Sequence, residues 1–193
     1  MKIIFCLPGH TYSREFLLAW TELMMQASSK GHQIMVAQNL TRQMCVAGDP
    51  AKGPFQGQDY DAALFIGQDA VFKTEDFFKI IESPHNVTGG IYMSETLQNF
   101  DIIRENNPDF PQGKYLRPED IVGAPQYIPV VYSGMNWMLV RNGVFEKLPY
   151  PYIWSTQTEP SDEKNFCTLV ESAGERVYVD TTVRVGNQKR MIL

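Results

Sequence analysis

Cysteine is scarce in this sequence, and the little there is does not pair by spacing. Cys6, Cys45 and Cys167 are odd in number, far apart and without a CxxC step. Neither a disulfide framework nor a zinc site is expected, and all three read as small buried hydrophobes. Basic clusters are missing as well. Lys and Arg are scattered, their densest group is Lys189 and Arg190, and the net charge is -5, which argues against nucleic acid as a partner. No apolar run is long enough for a membrane span. Pro8, Gly9 and His10 break the opening MKIIFCLPGH before a signal-peptide core forms, so a cytoplasmic protein is expected. Two phosphate-cradling signatures are also absent. LPGHTYS holds one glycine where GxGxxG needs three, and there is no GxxxxGK(S/T), which argues against nicotinamide or flavin dehydrogenases and P-loop enzymes.

What is present fits one folded unit. At 193 residues, with 44% hydrophobic and 20% charged residues, the chain has the size and balance of a single soluble domain that buries a substantial core. Its organising stretch is Tyr60 to Phe72, YDAALFIGQDAVF. Ala62 to Ile66 is continuously apolar, the pattern of a strand buried on both faces between helices. In open α/β sheets ligands bind beyond the carboxyl ends of such strands, which puts Gly67, Gln68 and Asp69 where chemistry belongs. Thr74, Glu75 and Asp76 then read as an N-cap and acidic first turn of a helix to about Glu82.

The remaining chain repeats this alternation. Lys2 to Leu7 reads as a strand and Ser13 as the N-cap of a helix to about Ser29. Its buried positions are Phe16, Leu17, Trp20, Leu23, Met24 and Ala27, with Gly31 past its end. Gln33 to Ala37 is a second strand, and the two strands with their crossover helix predict a parallel pair. Asn39 to Asp59 reads as a long irregular loop. Asn86 to Tyr92 is a strand, Asn99 to Pro125 a proline-interrupted excursion over the surface, and Tyr127 to Tyr132 a strand. The turn Ser133 to Asn136 leads into an apolar strand from Trp137 to Val140. Ser161 caps a helix that starts Asp162-Glu163 and ends near Gly174, and Arg176 to Asp180 and Val183 to Val185 close the sheet as two short strands.

The order of these pieces resembles the GT-A fold nucleotide-sugar glycosyltransferases, in particular compact bacterial and phage-like members. The likeness is carried by FCLPGHTYSREFLLAWTEL, DYDAALFIGQDAVFKTEDF, VTGGIY, YSGMNWMLVRNGVFEKLPYPY, SDEKNFC and RVYVDTTVRVGNQK in that order. It implies an α/β, GT-A-like single domain with a mostly parallel central sheet flanked by helices. Residues 1–92 would form the nucleotide-binding half and 126–193 the acceptor and catalytic half. It also implies a nucleotide-sugar donor, a glycan or other hydroxyl acceptor, and a Mn2+ or Mg2+ ion held by an Asp-x-Asp turn and a late histidine.

The sequence departs from that pattern at the metal. Gly67 stands at the first Asp position, Asp69 at the second, Asn187 where the histidine would be and Gln188 beside it in place of Glu. Asp69 alone makes a thin metal site, so weakened or absent metal dependence is expected. The resemblance assigns Glu163 as the base that deprotonates the acceptor, with Asp162 beside it, the family's pair in reversed order. The simpler role of both is to complement the helix dipole after Ser161. Pro8, Gly9, Tyr12, Gln68 and Asp69 would hold the nucleotide sugar, His10 could touch a phosphate, and Arg42, Lys189 or Arg190 would meet the diphosphate if no metal does. Gly134, Asn136 and Trp137 would face the acceptor, and Trp137 or Trp154 could stack on a sugar, the alternative being that both tryptophans are core aromatics. A rival from another class is a catalytically silent protein that keeps the fold and a nucleotide or glycan pocket. A GT-B enzyme also suits LPGH and KGHQIMVA, but needs two similar domains and a longer chain.

Overall fold

The structure, a computed structural model, describes residues 1–46, 51–94, 98–107, 110–154 and 161–187. Strands and helices alternate through the first half: β1 Lys2–Pro8, α1 Arg14–Ser29, β2 Gln33–Asn39, α2 Arg42–Val46, β3 Ala62–Ile66, β4 Ala70–Val71, α3 Thr74–Ile81 and β5 Val87–Ile91. The second half holds β6 Ile102–Asn107, β7 Phe110–Tyr115, β8 Tyr127–Val130, β9 Tyr132–Ser133, β10 Trp137–Arg141, α4 Asp162–Ser172, β11 Val177–Arg184 and β12 Gly186–Asn187.

Among the described residues the central sheet has seven strands in the order β2-β1-β3-β10-β5-β11-β8. β1 pairs parallel with β2 and β3, β11 pairs parallel with β5, and β10 and β8 run against their neighbours. Five strands therefore point one way, which is the mostly parallel sheet expected, with two reversed strands inside and at one edge. Both faces are covered. Alternate residues of β1 and β3 enter different cores: Ile3, Phe5, Leu64 and Ile66 pack with Phe16 and Leu23 of α1 and Phe77 of α3. Ile4, Cys6, Ala63 and Phe65 pack with Cys45 of α2 and Phe166 of α4. That two-sided burial is why Ala62–Ile66 has no polar residue, and each of its large side chains contributes about 1.5–3 kcal/mol by leaving water. Cys6, Cys45 and Cys167 are free and buried, as their spacing suggests.

The helix starts follow local chemistry. Ser13 Oγ accepts from Phe16 N at 3.0 Å and Ser161 Oγ from Lys164 N at 3.2 Å, the caps expected at both positions. α3 differs: Lys73 is the cap position and Thr74 already helical, because Asp76 reaches back to accept from Lys73 N at 3.1 Å. Three further expectations change. The stretch 39–59 contains α2 and a tight 3-10 turn at Pro54–Gly57, too short to leave a periodicity in sequence. The excursion 99–125 contains the hairpin of β6 and β7, which with β9 makes a small antiparallel sheet. Pro111 is tolerated there because β7 is an edge strand and needs no second set of N–H donors. The two closing strands are one, Val177–Arg184, with a register shift between Asp180 and Arg184. No helix among the described residues is long and apolar enough to cross a membrane.

Candidate functional site

Parallel strands β1, β2 and β3 end at one edge of the sheet, and reversed β10 begins there. The loops after the first three and the turn before the fourth therefore meet. They enclose a cleft of about 370 Å³ walled by Pro8, Gly9 and His10 after β1, Leu40 to Arg42 after β2, Gly67 to Asp69 after β3, Asn136 before β10, and Asp162. Of the residues expected around a nucleotide sugar, Pro8, Gly9, Arg42, Gln68 and Asp69 share this cleft, together with Asn136 from the expected acceptor group and Asp162 from the expected catalytic pair.

Two glycines shape it. Gly9 has φ +124, and a side chain there would collide with Gln68 Oε1. At Gly67 a side chain would collide with the Asn136 amide. Gly67 N donates to the Asn136 carbonyl at 2.9 Å, which locks the two segments together. The space beside Gly67 is thus filled by a neutral amide, and that amide holds a cation. Asn136 Oδ1 accepts from Arg42 Nη2 at 3.2 Å.

Arg42 also forms an ion pair with Glu163, Nη2 to Oε1 at 2.6 Å, with side chains 21% and 16% exposed. Glu163 accepts from Met135 N at 3.1 Å and from the Tyr132 hydroxyl at 3.2 Å as well. Burial pushes the Glu163 carboxyl above the usual range, Arg42 and Met135 N hold it down, and Asp101 and Asp162 push it further up. Asp162 reaches the cleft wall directly and accepts from Glu163 N at 2.9 Å. Glu163 stands behind Arg42, one ion pair from the cleft.

A residue that sequence reasoning missed completes this network. The Asp101 carboxylate accepts from the Tyr92 hydroxyl at 3.0 Å and the Tyr132 hydroxyl at 3.2 Å. Tyr132 has one proton to share between Asp101 and Glu163. Burial first, and these carboxylates second, push both phenols far up, so both remain protonated donors. The available signal was a carboxylate set among Phe100, Ile102 and Ile103, all buried.

Other expected residues lie elsewhere. Tyr12 turns back onto β1, donating to the Leu7 carbonyl at 2.9 Å while its ring packs on Phe16 at 4.6 Å. Gly134 is buried, and the room its missing side chain leaves is filled by the Tyr92 hydroxyl and the Asp101 carboxylate. Trp137 is fully buried against Phe72 at 4.8 Å and presents no face to a sugar. Trp154 is 38% exposed and accepts at its carbonyl from Asn165 Nδ2. Gln188, Lys189 and Arg190 lie outside the described residues.

For a divalent metal the donor set is small. Asn187 pairs with Ala70 across β12 and β4, one residue along the chain from Asp69. Asp69 and Asn187 offer one carboxylate and one amide, and among the described residues no group of three His, Cys, Asp or Glu side chains converges. The donors do not fit a metal held by the protein itself.

The chain matches no protein-family model and no curated protein sequence. Solved structures do match. A197 from STIV superposes with a TM-score of 0.62 at 14% identity, over 98% of this chain and 87% of that one. A mutant of Drosophila beta-1,4-galactosyltransferase 7, in complex with manganese, UDP-Gal and xylobiose, gives 0.53 at 12% identity, over 98% and 71%. The inositol-1-phosphate CTP transferase from T. maritima gives 0.50 at 10%, over 97% and 89%. The fold is nucleotide-sugar-transferase-like. Identities this low carry the fold and leave substrate and activity to the site itself.

Proposed function

We propose that this is a glycosyltransferase that takes a sugar from a nucleotide-sugar donor to an acceptor hydroxyl, without depending on a tightly held metal. The chain would act as one domain, with the donor on residues 1–92 and the acceptor side on 126–193. The observation that carries the reading is the position of Arg42, a cation in the cleft bound to the Asn136 amide, which packs against Gly67, where the resemblance expects a carboxylate. A guanidinium fork suits diphosphate oxygens and can meet the charge that grows as the diphosphate leaves.

In the reaction the acceptor oxygen bonds to the anomeric carbon as its proton passes to a carboxylate. The bond from that carbon to the diphosphate oxygen breaks, and its electron pair leaves with the diphosphate. Glu163 suits the proton, because burial raises its basicity while Met135 N and Tyr132 orient it.

The test is release of nucleoside diphosphate from nucleotide sugars. Turnover is expected with the natural chain and a loss of at least about a hundredfold in Glu163→Gln. A second reading, a silent binding protein, is favoured by the ion pair that occupies Glu163. Nucleotide-sugar binding with no turnover under any condition would establish it instead.

A further inference from the structure

The Arg42–Glu163 pair places the proposed phosphate ligand and the proposed base on each other. Arg42 Nη2 serves both Glu163 and Asn136, while its Nε is buried without a partner. The guanidinium belongs to the cleft wall, and the bonds its Nη2 makes to Glu163 and Asn136 can be exchanged for bonds to an incoming anion. A diphosphate carries more negative charge than one carboxylate and engages the planar fork through two bonds. Glu163 can lose Arg42 and remain solvated by protein, because Met135 N and the Tyr132 hydroxyl stay with it.

We propose that Arg42 is a shared cation. Nucleoside diphosphate entering the cleft takes the guanidinium away from Glu163, so donor binding and the freeing of the base are one event. This rests on the nucleotide-sugar reading and goes beyond it, because it makes the silent resting pair a step in the cycle. The titratable and charged groups facing Glu163 are Arg42 from α2, Tyr92 after β5, Tyr132 from β9, Asp101 before β6, and Asp162 and Cys167 on α4. Arg42 is the cation in that set. Its departure removes the largest influence holding the carboxyl down and leaves burial, Asp101 and Asp162, which favour the protonated form, opposed by the Met135 N hydrogen bond. Above the new pKa Glu163 stays ionised and is a stronger base. Close to it, binding draws a proton from solvent.

The experiment is isothermal titration of UDP, GDP, CDP and ADP into the natural chain and Glu163→Gln, in two buffers of different ionisation enthalpy, across about pH 5 to 7. Protonation of the nucleotide's own phosphates is common to both proteins and cancels between them. The expected result is proton uptake in the natural chain beyond that of Glu163→Gln. The variant, freed of the competing carboxylate, should also bind severalfold to about tenfold more tightly. Binding with equal uptake and equal affinity in the two proteins overturns the shared cation and leaves nucleotide recognition standing. Weaker binding by Glu163→Gln overturns it too, since Glu163 would then brace Arg42 for the ligand. No binding of any of the four nucleotides defeats nucleotide recognition and this proposal together.

Discussion

The two sides of the cleft floor are built on opposite principles. Below β1 and β3 lies a core of Ile3, Phe5, Leu64, Phe77 and Leu23, all fully buried and all apolar. Beside it, Tyr92, Asp101, Tyr132, Glu163 and Arg42 form a chain of polar groups that bury one another. Apolar packing is non-directional, so loss of one member costs its own area and the cavity it leaves. A buried polar chain is directional, and removal of one member strands the next with an unmet charge or proton. The first side holds the sheet in place; the second holds Arg42 and Glu163 against each other at its edge.

Truncation on the apolar side has the largest expected effect on stability. Leu64, in the middle of β3 and fully buried, should lose about 3–5 kcal/mol as Leu64→Ala, measured by urea unfolding, with the cleft chemistry unchanged in the fraction that remains folded. A loss under about 1 kcal/mol would mean that β3 is not the central strand.

On the polar side Arg42→Met leaves Glu163 without its cation. Since both side chains keep some exposure, the expected loss is about 1–3 kcal/mol rather than that of a fully buried pair. It should also depend on pH. Glu163 is raised above its unfolded value, so its contribution is fully present below the unfolded pKa and is lost as pH rises through the folded one. Without Arg42 the folded value moves higher, and the decline should extend to higher pH. Unfolding free energies for Arg42→Met that do not fall with rising pH would break the contrast between the two sides.

Tyr132→Phe should have the smallest effect of the three, about 1–2 kcal/mol, because it removes one hydroxyl shared by Asp101 and Glu163. A double-mutant cycle with Glu163→Gln should show coupling of at least about 0.5 kcal/mol; additive losses would show that the tyrosine and glutamate act separately.

The apolar side was legible in sequence and the polar side largely was not. Ala62–Ile66 shows its two-faced burial as an unbroken apolar run, and Ser13 and Ser161 announce their helices by local hydrogen bonds. Arg42 and Asn136 are 94 positions apart and Met135 and Glu163 28 apart, distances at which spacing carries no signal. Asp101 was hidden because β6 and β7 pair across a proline-rich stretch with shifts of register. Trp137 could be read both ways. It follows a polar turn as an acceptor-facing residue would, and antiparallel pairing of β10 with β3 and β5 carries it into the core, the alternative its aromatic ring also allowed.

Recognition of a diphosphate by Arg42 in place of a metal is the claim on which the rest depends. Thermal unfolding with UDP, GDP, CDP and ADP, with manganese or with a chelator, tests it most directly, since a ligand bound to the native state raises Tm by mass action. A rise in Tm that survives the chelator and disappears in Arg42→Ala is the predicted result. A rise that requires manganese and persists in Arg42→Ala would contradict it and return the diphosphate to Asp69.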